Sequence, residues 1–169
     1  MLRVERRFKG QLRGKMQTGK GDYAFVRKFR DSDLDVVVDL ANSSLSEYYG
    51  VDLIYDLSRQ WPDGFLVYQF GNRVVGFLAG AKYSSNEARI LLLAVDKPFR
   101  KIGIGTTLVE DFTKLCMQLG MMSVRLEVRI DNIEAINFYR KLKFVVISTM
   151  RNYYSDSSDA HVMWRLLSQ

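Results

Sequence analysis

The stretch Arg100-Lys101-Ile102-Gly103-Ile104-Gly105-Thr106 sets two cations and two glycines immediately ahead of a helix-like apolar pattern. An apolar run, Ile90 to Val95, comes just before it. A strand, a glycine-bearing turn and a helix in that order place unbonded backbone N–H groups and the positive helix end beside one concave turn. Glycine lets a ligand come close to the backbone, because no Cβ stands in the way. The chemistry suited to such a turn is phosphate binding, with Arg100 and Lys101 adding charge. Arg-x-x-Gly-x-Gly is neither the Gly-x-x-x-x-Gly-Lys-Ser/Thr of a P-loop nor the Gly-x-Gly-x-x-Gly of a dinucleotide fold. Its weight comes from its place after a central strand.

Other chemistries are disfavoured by composition. One cysteine and one histidine in 169 residues make a zinc site unlikely on ligand count, so no metal is expected. Cys116 falls on the apolar stripe of a helix and His161 on the last strand, where both read as structural. A lone cysteine excludes an internal disulfide and suits a reducing compartment. The longest apolar run is far too short to span a bilayer, and no signal-peptide pattern opens the chain. A cytoplasmic protein with no membrane contact is expected.

The formal charge of +6 is unevenly spread. Residues 1–22 carry seven cations against two anions, whereas the rest carries 18 against 17. The basic balance therefore belongs to an N-terminal arm, either a solvated tail or a contact for RNA or the ribosome. Residues 23–169 read as a single domain.

The elements that must position the turn follow from periodicity. "YAFVRKF" alternates as a strand. "RDSDLDVVVDLANSSL" offers Asp31 as a helix N-cap and a stripe at Leu34, Val37, Val38 and Ala41. A loop and short second helix follow. "FLVYQF" and "RVVGFLAGAKY" are strands joined at "GN", a hairpin signal, and "RILLLAV" is a third, central strand. A helix from about Gly103 to Leu119 has its stripe at Leu108, Val109, Phe112, Leu115, Cys116 and Leu119. "SVRLEVRI" alternates Val124, Leu126, Val128 and Ile130 with Arg125, Glu127 and Arg129. "DNIEAINFYRKLKF" is a helix with Asp131 and Glu134 spaced as a capping box, and two antiparallel strands close the chain. The order β-α-α-β-β-β-α-β-α-β-β implies an α/β (α+β) fold, a mixed, mostly antiparallel sheet with helices on its faces.

"VDKPFRKIGIGTTLVE", "LEVRIDNIEAINFYRKLKF" and "RNYYSDSSDAHVMW" together resemble the GNAT acetyltransferases. Within them the chain is similar to the N-terminal protein acetyltransferases, including RimI and the archaeal and eukaryotic catalytic subunits. The resemblance runs from about Tyr23 to Leu167. It implies acetyl-CoA as cofactor and CoA as product. Backbone contacts to the pyrophosphate would come from Arg100, Lys101, Ile102, Gly103, Ile104, Gly105 and Thr106. Leu93, Ala94 and Val95 would pair with the pantetheine arm at a splay between the central strands, and Asn132 would touch the same arm.

The resemblance also implies two protonic roles. Glu127 aligns with the family's carboxylate and is the expected general base, its alternative being an ion pair with Arg125, Arg129 or another cation. Tyr139, two helical turns past Asn132, is the expected acid at the CoA sulfur, its alternative being a core tyrosine. Glu47, Tyr48 and Tyr49 in one loop, and Tyr153 and Tyr154 in another, are the expected peptide contacts. Where many archaeal relatives carry a histidine on the central strand, this chain has Arg89. The acceptor implied is the α-amine of a protein or peptide N-terminus. An α-amine with a pKa near 8 is about one-tenth neutral at pH 7, whereas a lysine near 10.4 is about one part in 2,500 neutral, a difference of roughly 3 kcal/mol. A small-molecule amine, a lysine side chain, and a nonenzymatic CoA- or RNA-binding module remain alternatives.

Overall fold

A computed structural model of the chain describes residues 23–167. The basic segment 1–22, with its expected RNA or ribosome contact, lies outside the described residues. The elements are β1 (Ala24–Lys28), α1 (Leu34–Ser44), α2 (Val51–Gln60), β2 (Phe65–Phe70), β3 (Arg73–Lys82), β4 (Glu87–Val95), α3 (Ile104–Gln118), β5 (Ser123–Arg129), α4 (Ile133–Lys141), β6 (Val145–Met150) and β7 (Ala160–Leu166). This is the order that periodicity predicts. The strands form one mixed sheet in the order β1-β2-β3-β4-β5-β7-β6. The chain packs as two compact units. Among the described residues, the first runs to Ala79 and takes in Leu92–Asp111; the second comprises Gly80–Leu91 and the chain from Phe112 to Leu167.

In the first unit β1, β2 and the start of β3 form an antiparallel meander, with Val26 opposite Tyr68 and Val67 opposite Phe77. Gly71, at φ 55°, makes the turn of the β2–β3 hairpin. Phe65 stacks on Phe29 with ring centroids 4.6 Å apart. Val37, Leu40 and Ala41 are the buried face of α1, and Val38 is only half-buried. Asp31 does not cap this helix. It begins a 3-10 turn, Asp31–Asp33, and its carboxylate accepts from Arg59 Nη2 at 2.7 Å. Asp33 instead accepts from the Arg30 amide at 2.8 Å and from both terminal nitrogens of Arg27. Burial is the largest single influence and acts to raise its pKa, but the hydrogen bonds from Arg27 and the Arg30 amide, with the charges of both arginines, together outweigh it and hold the carboxyl below its ordinary value.

In the second unit β4 and β5 run parallel, with Glu87–Ile90 beside Ser123–Leu126. The expected closing pair forms, Val145 opposite Trp164. However, β7 and not β6 lies against β5, in register from Ser123↔Leu166 to Arg129↔Ala160. Being central, β7 is largely covered, whereas all six residues of β6 are exposed. The α3 stripe holds at Phe112 and Cys116 in this unit, with Thr113 also buried, and at Leu108 and Val109 in the part of the helix that belongs to the first unit. Leu119 is 48 % exposed because the helix stops at Gln118 and Gly120, at φ 76°, turns the chain away. Truncating the fully buried Phe112 to alanine should cost about 3–5 kcal/mol.

Candidate active site

The first unit carries the glycine turn. After β4 the Asp96 amide donates to the Val75 carbonyl at 2.8 Å, which ties the strand end to β3. A 3-10 turn, Lys97–Phe99, begins with Pro98 near its start, where no N–H is needed. Phe99 is buried and sits 5.6 Å from the Phe70 ring. With that anchor in place, Arg100, Lys101, Ile102 and Gly103 are exposed. Lys101 (φ 64°) and Gly103 (φ 94°) both have left-handed backbones. A Cβ on Gly103 would meet nothing within 4 Å, so glycine is favoured there by conformation, not by lack of room.

The first intrahelical bond of α3 runs from the Thr107 amide to the Gly103 carbonyl at 2.9 Å. The amides of Ile104, Gly105 and Thr106 therefore lie in the helix's first turn, where backbone donors have no partner within the helix. Arg100 is folded back: its Nε donates to the Val95 carbonyl at 2.8 Å and its Nη2 to Ser44 Oγ at 3.1 Å. It thus fixes the strand end and takes one of the backbone acceptors in the Leu93–Val95 segment. Gly76 of β3 faces that segment, since a Cβ there would lie 3.2 Å from the Ala94 carbonyl oxygen.

The loop between α1 and α2 holds Glu47, Tyr48 and Tyr49. Asn42 clamps it, accepting from the Tyr49 amide and donating to the Tyr49 carbonyl, both at 2.8 Å. Tyr48 is left 84 % exposed. A cavity of about 630 Å³ in the same unit is lined by Arg27, Asp33, Asp39, Arg73 and Asp96 among others, and none of the expected site residues borders it.

The second unit carries the titratable groups. Arg89 and Arg125 stand directly opposite one another on parallel strands, a like-charge juxtaposition that would be unfavourable alone. Glu127 resolves it. Its Oε2 accepts from Arg89 Nε at 2.7 Å, and its Oε1 from Arg125 Nη2 at 3.0 Å and Nε at 3.3 Å. Its side chain is only 5 % exposed. Arg125 lies over the Tyr83 ring at 4.2 Å and within 3.9 Å of Glu87. Glu87 in turn accepts from Ser123 Oγ at 2.6 Å and Trp164 Nε1 at 2.9 Å. Glu127 thus pairs with Arg89 and Arg125, while Arg129 belongs to another cluster.

Tyr139 is buried on α4, edge-on to Phe138 and Phe144 at 5.0 and 5.5 Å. Burial pushes its phenol well above the ordinary tyrosine range, so it stays protonated at any working pH. Asn132 caps α4, its Oδ1 accepting from the Ala135 amide at 3.0 Å. The expected Asp131–Glu134 capping box is therefore corrected: Asp131 accepts from Arg129 instead, at 3.2 and 3.3 Å. Tyr153 and Tyr154 pack edge to face, centroids 5.0 Å apart, in the loop between β6 and β7. The Tyr153 hydroxyl accepts from Arg89 Nη2 at 2.6 Å, and Arg129 lies 5.2 Å from the Tyr154 ring centre. Burial raises the Cys116 thiol to about 12, which removes it as a nucleophile. His161 shares a 2.9 Å hydrogen bond with Thr149.

A profile described as the acetyltransferase (GNAT) family matches residues 34–144, about two thirds of the chain. The chain belongs to this family. The match covers the glycine turn, Glu127 and Tyr139. An N-alpha-acetyltransferase of Sulfolobus acidocaldarius is 31 % identical over 144 residues, 78 % of this chain and 86 % of that protein. The crystal structure of Ard1 from Thermoplasma volcanium superposes with a TM-score of 0.84 and 51 % identity, covering 86 % of this chain and 99 % of that one. Arabidopsis thaliana Naa50, in complex with the bisubstrate analogue CoA-Ac-MVNAL, gives a TM-score of 0.75 at 26 % identity, covering 84 % of this chain and 97 % of that one. This GNAT protein is an acetyl-transferring enzyme of α+β fold, and among its described residues no helix is long and apolar enough to cross a membrane.

Arg89 was legible in the sequence only as a substitution for histidine, and Glu87, Ser123, Trp164 and Tyr83 not at all. The one local signal, for Glu87 and Arg89, is their alternation with apolar residues at the start of β4.

Proposed function

We propose that the chain is a cytoplasmic N-α-acetyltransferase moving the acetyl group of acetyl-CoA to the α-amine of protein or peptide N-termini. What carries the reading is the turn 100–106, left-handed at Gly103 and opening onto first-turn amides, in a chain 31 % identical to a protein named N-alpha-acetyltransferase. The residues present fit the cofactor. The amides of Gly103, Ile104, Gly105 and Thr106 would take the pyrophosphate, with Lys101 adding charge. Backbone groups of Leu93 and Ala94 and the Asn132 amide nitrogen would take the pantetheine arm. Acetyl-CoA supplies an activated acyl group whose leaving thiolate must be protonated.

The chain's own residues then have two tasks. Glu127 would take a proton from the attacking α-ammonium, through water, so that the nitrogen lone pair forms the new C–N bond. Tyr139 would hydrogen-bond the sulfur as the C–S bond breaks, give it a proton and be reprotonated by the second proton that the acylated nitrogen sheds, so that the enzyme's net gain is the one proton on Glu127. With a thiol near 8.5 and a phenol above 10, that transfer is uphill by about 2 kcal/mol or more. This is a small part of the roughly 17 kcal/mol barrier of a reaction at one turnover per second. Tyr48, Tyr49, Tyr153 and Tyr154 would wall the acceptor peptide, with Glu47 near its first residue.

The test is acetyl transfer to short peptides differing in their first residue, with free lysine and spermidine as competitors. Transfer to peptide α-amines is expected. Exclusive modification of the small amines would overturn the acceptor assignment.

A further inference from the structure

Arg89 does more than neutralise Glu127. A structural ion pair needs one contact, but Arg89 makes two, to groups 26 residues apart that belong to different parts of the proposed reaction. Nε holds Glu127 Oε2 at 2.7 Å, and Nη2 holds the Tyr153 hydroxyl at 2.6 Å. Both N–H groups belong to one rigid guanidinium plane, so their spacing and direction are fixed relative to each other. The other guanidinium on Glu127 is differently placed. Arg125 is fixed by Glu87 on β4 and by the Tyr83 ring in the turn between β3 and β4. Arg89 is the arginine whose second partner lies in the loop between β6 and β7.

The partial exposure of Arg89, at 26 %, against 5 % for Glu127, puts it between the buried carboxylate and the exposed loop. A peptide seated against Tyr153 would disturb the hydrogen bond on Nη2, and the planar group would carry that disturbance to Oε2.

We propose that Arg89 is a positioning residue that couples the acceptor loop at Tyr153 to the orientation of the Glu127 carboxylate, so that peptide engagement and carboxylate placement are set together. This rests on the reading of Glu127 as base and of Tyr153 as a peptide contact. A lysine keeps the charge but presents one ammonium, which lacks the fixed fork, so Arg89→Lys is expected to break the coupling while preserving the neutralisation.

The experiment is a kinetic double-mutant cycle on the full chain with Arg89→Lys, Tyr153→Phe and the double variant, read as kcat and KM for peptide. Tyr153 lies at the exposed end of the pair, so if an Arg89 change proves unstable its phenylalanine variant is read alone: a fall in kcat supports the coupling, and a raised KM with parental kcat overturns it. Each single change should lower kcat/KM by about tenfold, and the double by little more than the larger single effect, as contacting groups on one network do. Acetyl-CoA affinity should be unchanged in all three. Multiplicative effects, or an Arg89→Lys enzyme with parental kinetics, overturn the coupling.

Glu127→Gln separates this from the underlying reading. If that variant is inactive while Arg89→Lys is normal, the coupling fails and the base assignment stands. If it is fully active, the base assignment itself fails.

Discussion

Arg129 reaches from β5 into the β6–β7 loop, its Nη1 2.9 Å from Asp156 Oδ2 and its Nη2 2.7 Å from Ser158 Oγ. Asp156 also accepts from the Ser158 amide at 3.0 Å and from the Ser158 hydroxyl. The loop that presents Tyr153 and Tyr154 is thus tied to the sheet at two points, by Arg129 near one end and Arg89 near the other. Binding residues are often carried on loops that a rigid scaffold positions, and here the sheet supplies that support.

This arrangement has a pH signature. Bonds from Ser158, and then Arg129, lower the Asp156 carboxyl from 3.8 to about 2. A depressed carboxylate contributes stability above its unfolded value and loses that contribution as pH falls through its folded value. The stability difference between the parent and Asp156→Asn should therefore be constant from neutrality down to 3.8 and close as pH falls to about 2. Thermal melts across that range measure it, and a gap that ignores pH would remove Asp156 from the account.

Tyr139→Phe deletes one hydroxyl and keeps the ring that packs against Phe138 and Phe144. Turnover should fall by roughly a hundredfold, the low end of what a positioned acid contributes. Calorimetric affinity for acetyl-CoA should hardly change. Parental turnover would end the assignment of Tyr139 as acid.

Glu127→Gln should lower kcat/KM at pH 7 by about a hundredfold. The deficit should shrink at pH 9, because an α-amine with a pKa near 8 then arrives mostly neutral and needs no base. A deficit equally deep at both values would mean that the carboxylate acts through structure alone.

Gly103→Ala introduces no clash, since the added methyl meets nothing within 4 Å. It does penalise the left-handed backbone by about 1–2 kcal/mol. The expected outcome is a chain that still folds but binds acetyl-CoA roughly tenfold more weakly by calorimetry, as the turn relaxes away from φ 94°. Unaltered binding would show that this backbone geometry is not what the cofactor reads.

The elements were legible because alternation and helical stripes are local. β5 could be seen in Val124, Leu126 and Val128, and α3 in Leu108, Val109 and Phe112. Capping was misread where two side chains competed for one role. Asp131 and Asn132 are adjacent and either can cap, but Arg129 captures the aspartate and leaves the asparagine to the helix. Asp31 was drawn away in the same manner by Arg59. The Glu127 environment was half legible. Arg125 is two residues away on the same strand, whereas Arg89 is 38 residues distant and meets it only through the parallel pairing of β4 with β5. The insertion of β7 beside β5 was not legible, because a local pattern identifies a hairpin without saying which of its strands faces inward.

That insertion has a bearing on assembly. Since β6 precedes β7 but stands at the sheet's margin, β5 must wait for its neighbour through the whole of α4, β6 and the tyrosine loop. Short-range contacts close sooner than distant ones. The β6–β7 hairpin is thus expected to zip first and then dock as one piece along β5. The two-arginine anchorage of the tyrosines would accordingly be among the last contacts made when the chain folds, and among the first surrendered under mild denaturant.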